Sequence, residues 1–108
     1  MCIRDSLSTI YLDLEKNISQ SKVLNTLANF YKNEKFVKIL KSNSLLSTND
    51  VINTNNCYIS VCKSKYNNKI IILSAIDNLI KGGAGQAVQN LNNKFNFPEK
   101  TGLKWEVF

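Results

Sequence analysis

Residues 57–76 read "CYISVCKSKYNNKIIILSAI". Two runs rich in β-branched and aromatic residues, 57–63 and 69–76, flank a polar "SKYNN" that has no helical period. That pattern predicts a β-hairpin. The unbroken Ile70-Ile71-Ile72-Leu73 lacks the alternation of a strand with one wet face, so it predicts a central strand covered on both sides. Covering so large a surface asks for more protein than a 108-residue chain supplies.

Downstream, the second run leads into "SAIDNLIKGGAGQAVQN", residues 74–90, which holds three of the four glycines, Gly82, Gly83 and Gly85. Its spacing matches neither the G-x-G-x-x-G dinucleotide fingerprint nor the G-x-x-x-x-G-K-[ST] P-loop. A helix starting here would still expose unpaired backbone N–H groups and a positive dipole end, and glycines let a ligand approach the backbone. Lys81 adds a mobile positive charge. The blander reading is that the glycines let the helix start pack closely on a neighbour, and spacing alone favours it. Ala84, Ala87, Val88, Leu91 and Phe95 mark the apolar face of a helix over about residues 83–95. Gln86, Gln89, Asn90 and Asn93 occupy its other side, as hydrogen-bonding groups or simply as a wetted surface. Phe97-Pro98 is expected to end it.

Upstream, residues 42–56, "SNSLLSTNDVINTNN", are rich in Ser, Thr and Asn and have no clean period, a length that is uncommon unless it serves a site or spans between elements. "FVKIL" (36–40) is a short strand candidate. Val23, Leu24, Leu27, Ala28 and Tyr31 follow helical spacing over about residues 20–33, with Ser19 as N-cap and an Ile18–Val23 staple. "LSTIYLDL" (7–14) predicts a half-buried strand, with Thr9, Tyr11 and Asp13 on one face and Ile10, Leu12 and Leu14 on the other. The opening "MCIRDS" (1–6) fits nothing that follows; it looks like an adapter or assembly scar and is left out of the expected fold. The order is β-α-β-loop-β-β-α: an α+β domain over residues 7–108, with a mixed, largely antiparallel sheet and two helices.

Fourteen Lys plus Arg against eight Asp plus Glu give +6, a charge that attracts phosphates, nucleic acid or anionic lipid. Lys32, Lys35, Lys38 and Lys41 are nevertheless spread every three residues with no dense block, which favours a solvated surface over a nucleic-acid face. No apolar run approaches the ~18–20 residues of a membrane span, so a soluble protein is expected. Three cysteines, no histidine and no secretory signal suit reduced thiols in the cytoplasm. On one strand, Cys57 and Cys62 would point to opposite faces, so neither a shared disulfide nor a shared metal is expected. Without histidine, neither has the commonest partner that makes a thiolate nucleophile, and no metal site is expected.

The segment "SAIDNLIKGGAGQAVQNLN" followed by "FNFPEKTGL" closely resembles the C-terminal region of the N-acetyl-gamma-glutamyl-phosphate reductase family. "LSTIY", "FYKNEKFVKIL" and "TNNCYISV" extend the resemblance upstream in order, over roughly Leu7 to Leu103. Aspartate-semialdehyde dehydrogenases are more distantly similar; the Gly-Gln-Ala-Val-Gln-Asn continuation points away from them. The resemblance implies a two-domain, NADP-dependent enzyme of arginine biosynthesis acting on a small acyl phosphate, homo-oligomeric, with a Rossmann domain and a C-terminal α+β domain for substrate and subunit contacts. In that family a cysteine thiolate displaces phosphate from the acyl phosphate, and NADPH reduces the thioester to a semialdehyde. The cysteine and its histidine base precede the portion seen here, so no catalytic residue transfers to Cys57 or Cys62 and the chain alone is expected to be inactive. The turn and last long helix return to the Rossmann domain beside the nicotinamide. By resemblance, Asn78, Lys81, Gly82, Gly83, Gly85, Gln86 and Asn90 are expected to border the cofactor. Many relatives carry Arg-Gly where this chain has Ile52-Asn53, so no substrate-anchoring arginine transfers; Lys63, Lys65 or an upstream residue stay open. The rival readings are a stand-alone basic module for an anionic partner such as nucleic acid, and a fragment of an aspartate-semialdehyde dehydrogenase.

Overall fold

The hairpin that organises the sequence organises the molecule. The computed structural model describes residues 4–105, and in it Cys57–Lys63 (β3) and Lys69–Asp77 (β4) pair antiparallel with Tyr58 opposite Ala75 and Val61 opposite Ile72. Asp5–Asp13 (β1) adds to the other side of β4, also antiparallel, with Leu7 opposite Ala75. Val37–Ile39 (β2) joins β3 in parallel, giving the sheet order β1-β4-β3-β2. Parallel neighbours need a long crossover, and that explains the long polar stretch before β3. Residues 42–56 make the crossover and lay Leu46 and Val51 on the sheet, where they form the core with Ala75 and the partly buried Leu40, Tyr58 and Leu73. A short 3-10 turn, Thr48–Asp50, holds the crossover in shape through a capping box: Asn49 N–H donates to Ser47 Oγ at 3.3 Å and Ser47 N–H to Asp50 Oδ2 at 2.8 Å.

The opposite face carries the first helix, Gln20–Phe30 (α1), whose N-cap is Ser19, accepting from the Lys22 N–H at 3.2 Å. Val23 and Leu27 line a hollow with Ile18, Leu12 and Ile72, so the expected staple pair meets over the sheet. The helix stops at Phe30 rather than 33. Cys57 and Cys62 do face opposite sides: the Cys57 thiol lies 3.5 Å from Ser74 Oγ, and the Cys62 thiol 3.6 Å from Ser60 Oγ and the Ser44 carbonyl.

Four expectations need correction. β1 begins at Asp5, so Asp5 and Ser6 lie in the sheet, and Arg4 beside them contacts Asp77; residues 1–3 lie outside the described range. β1 is not half-buried, because it is an edge strand that the described elements cover only in part: Leu7, Ile10 and Tyr11 are 49, 42 and 71% exposed. The Ile70–Leu73 run is central, as expected, yet only Ile70 is buried while Ile71, Ile72 and Leu73 keep partial exposure. The second helix, Gly85–Lys94 (α2), ends before Pro98 can act. Asn96 takes the left-handed conformation at φ 57, and the Phe97 N–H donates to the Asn92 carbonyl at 2.9 Å, the Schellman closure.

Candidate functional site

The glycine segment lies at the end of β4 where β3 begins, and one carboxylate fixes how the chain leaves the strand. Asp77, buried at the last position of β4, accepts at Oδ1 from the Leu79 N–H at 3.0 Å and at Oδ2 from the Asn53 N–H at 2.8 Å. The Arg4 guanidinium donates to the same Oδ2 from Nε at 3.2 Å and Nη2 at 3.1 Å, and also to Asn53 Oδ1. Burial alone would raise this carboxyl's pKa; the two backbone N–H groups and Arg4 outweigh it and hold the group below the ordinary value. Asn53 itself sits at φ 62, a conformation Asn and Gly tolerate.

Past Asp77 the chain makes one π-helical turn, Ile80–Ala84, that runs into α2. The Ala84 N–H donates to the Leu79 carbonyl at 3.3 Å and the Gly85 N–H to the Ile80 carbonyl. The start of α2 therefore has two of its first donors engaged by the preceding turn, which works against an open phosphate cradle. Close approach requires glycine at Gly85, whereas at Gly82 the nearest atom ends the exposed Asn78 side chain and can give way. A Cβ at Gly82 would stand 2.5 Å from Asn78 Oδ1, and one at Gly85 would meet the Ile80 carbonyl oxygen at 2.6 Å and press on Asn55 Oδ1. Gly83, at φ −146 and ψ −112, has only the Asn78 carbonyl within reach of a Cβ, at 3.4 Å, and faces outward.

Beneath this turn is a buried polar network absent from the sequence reading. Gln89 Oε1 accepts from Asn55 Nδ2 at 2.9 Å and from the Lys81 ammonium at 2.7 Å, while Gln89 Nε2 donates to Glu99 Oε1 at 2.8 Å. Its carboxamide thus ties the crossover, the glycine turn, α2 and the segment after α2 to one another. Lys81 is correspondingly not the mobile charge expected; it is half-buried, tethered to Gln89 and 5.4 Å over the Phe36 ring. Burial pushes its pKa down, with Cys57, Glu99 and Glu34 acting in the opposite direction. Asn55 Oδ1, fully buried, lacks a hydrogen-bond partner among the described residues and faces Gly85 instead.

The network inverts α2. Gly85, Gln89 and Asn92 are its buried residues, Asn92 donating to the carbonyls of Glu99 at 3.0 Å and Thr101 at 2.9 Å. Ala84, Ala87, Val88, Leu91 and Phe95, the apolar face, all point to the surface, with Leu91 49% and Phe95 63% exposed. Of the residues expected to border a cofactor, Asn78, Gly82, Gly83 and Asn90 are exposed and Gln86 half-buried; Gln86 Nε2 donates to Asn90 Oδ1 at 2.9 Å. Gly85 faces inward. Lys63 and Lys65 lie at the hairpin end of the sheet, roughly 20 Å away by strand rise. Sequence reasoning missed Asn55, Asp77 and Glu99 and placed Gln89 on an outer face. An aspartate closing an apolar strand just before a glycine turn was the one available signal.

Chemically, the outward side of the turn offers bare backbone and carboxamides and a fixed cation behind them. It offers close approach and hydrogen bonding, with no nucleophile or base. Among the described residues no His, Cys, Asp or Glu cluster could hold a metal ion, and no helix is long and apolar enough to cross a membrane.

Against known proteins, the model of the semialdehyde dehydrogenase dimerisation domain matches residues 2–78. A protein named N-acetyl-gamma-glutamyl-phosphate reductase from Thermoanaerobacter pseudethanolicus is 46% identical over 100 residues, covering 93% of this chain and 29% of its own length. Proteins of the same name from Desulforamulus reducens and Acinetobacter baumannii are 46 and 47% identical over 101 and 102 residues, each covering 94% of this chain and 29% of theirs. The chain spans about 29% of the length of these curated relatives.

Proposed function

The chain belongs to the semialdehyde dehydrogenase family through its dimerisation domain, and from that premise we propose that it is the C-terminal part of an N-acetyl-gamma-glutamyl-phosphate reductase. The proposed whole enzyme reduces N-acetyl-glutamyl phosphate to the semialdehyde with NADPH, in the cytoplasm, as a step of arginine biosynthesis. One observation carries the structural side of this reading: α2 buries Gln89 and Asn92 and leaves an apolar stripe from Ala84 to Phe95 outside. A stripe of that kind beside an exposed glycine turn is what a helix docking on a nucleotide-binding domain requires.

The residues at the turn fit the edge of a nicotinamide ring better than a phosphate. Gly83 leaves the backbone bare, and the Gln86–Asn90 pair presents carboxamide groups suited to a carboxamide ligand. When bound, NADPH supplies the hydride. The proposed roles of this chain are to present Gly83, Gln86 and Asn90 to the cofactor, to hold Lys81 as a fixed cation through Gln89, and to exclude water with the α2 stripe. Asn78, Gly82 and Gly85 give the turn its shape. The nucleophilic cysteine and histidine base belong to the part of the enzyme that this chain does not supply. The exposed faces of β1 are proposed as a subunit contact, in keeping with the name of the matched domain.

The coding DNA upstream of Leu7 tests this. The expected result is an open frame encoding a dinucleotide-binding domain and a Cys/His pair; a frame lacking both would sink the proposal.

A further inference from the structure

A second site lies at the free edge of the sheet. Between β2 and the C-terminal segment there is an open groove of about 590 Å³, lined by Lys35, Lys38, Asn56, Tyr58 and Trp105 among others, a volume in the range of small-molecule sites. Its walls are aromatic rings with cations on them: the Lys38 ammonium is 5.5 Å from the Tyr58 ring centroid, and the Lys100 ammonium 3.6 Å from that of Trp105. The C-terminal segment is fixed there by the Asn55 N–H donating to the Lys104 carbonyl at 2.8 Å and Asn56 Nδ2 to the Trp105 carbonyl at 2.7 Å. Among the described residues the ion pairs are Arg4–Asp77 and Lys69–Asp13, so no described carboxylate is paired with Lys35, Lys38 or Lys100. Among the described residues no acidic side chain lines the groove. Lys38 over Tyr58 and Lys100 over Trp105, with Lys35 on the groove wall beside them, are complementary to a ligand that has both a planar ring and negative charge.

We propose that this groove binds a nucleotide-like anion, its ring stacked against Trp105 or Tyr58 and its phosphate held among Lys35, Lys38 and Lys100. None of these residues belongs to the glycine turn, so the proposal stands or falls apart from the reductase reading. Stacking supplies ring selectivity and the lysines supply charge selectivity, and neither alone accounts for the groove.

Trp105 is the only tryptophan of the chain, so its fluorescence reports this groove directly. The 108-residue chain is titrated with adenosine monophosphate, adenosine and inorganic phosphate. Adenosine monophosphate is expected to change the Trp105 emission saturably, with affinity roughly tenfold above adenosine or phosphate, as one stacked base or one charge contact would give. The Lys35→Ala/Lys38→Ala double variant is expected to lose roughly tenfold in that affinity, and the charge-matched Lys16→Ala/Lys22→Ala variant to keep it. Absence of a saturable change, equal affinity for phosphate, or equal loss in both double variants would overturn the proposal, the last by showing only diffuse attraction to a basic chain.

Discussion

At Gly85 an added methyl group would stand 2.6 Å from the Ile80 carbonyl oxygen, 2.7 Å from its Cγ2, and against a fully buried Asn55 Oδ1. None of these is the free end of a flexible side chain, so Gly85→Ala is expected to destabilise the chain by about 1–3 kcal/mol, read as a lower midpoint in urea unfolding. At Gly83 the same methyl group meets only ordinary contact at 3.4 Å. Asp77 makes a different prediction. Its carboxyl is held below the ordinary value in the folded chain, so its contribution is present above the unfolded-state value and lost as pH falls through the folded one. Stability of the wild-type chain should drop as pH falls through the ordinary carboxylate value of 3.8 and below it, and Asp77→Asn should be less stable at neutral pH and flatter across that acid range. The sequence made Gly85's need for space legible, since close packing was the reading that spacing favoured. Gln89 was illegible, because a glutamine on a helix face says nothing about whether a loop will bring Asn55 and Lys81 to it.

The second helix is the element whose apolar period was legible and whose contact face with this domain was not. Its apolar positions do fall on one stripe, but the side that meets this domain is the one with Gly85, Gln89 and Asn92. Period alone cannot tell a core face from a face awaiting another domain. Two substitutions separate the cases. Leu91→Ser removes a residue 49% exposed and is expected to change the chain's unfolding free energy by less than about 0.5 kcal/mol. Asn92→Ala leaves the carbonyls of Glu99 and Thr101 without their donor and is expected to cost about 1–3 kcal/mol. The reverse ranking in denaturant unfolding would mean that the apolar stripe faces the core after all. Strand content was the most legible part, with β3 read to its ends and β4 to within a residue. The edge position of β1 and the parallel pairing of β2 were not legible, because pairing partners depend on how the long crossover folds back over the sheet.

Over the whole molecule, the radius of gyration is 15.2 Å, against about 13 Å for a compact domain of this length. The excess goes with large apolar side chains left on the surface of β1 and α2, and it accounts for a chain expected to unfold over a broad, low-enthalpy thermal transition by calorimetry; a sharp cooperative transition of large enthalpy would speak against missing cover. If β1 is a subunit contact, Tyr11→Glu should lower the sedimentation mass of the full-length enzyme while leaving the 108-residue chain folded by circular dichroism. The central claim is the reductase itself. The full-length product of the frame that contains this segment is assayed for NADPH oxidation with N-acetyl-glutamyl phosphate and with aspartyl phosphate, beside the 108-residue chain. The account predicts turnover of the N-acetyl-glutamyl substrate by the full-length protein and none by the chain alone. Turnover only of aspartyl phosphate, or of neither substrate by the folded full-length protein, would contradict it.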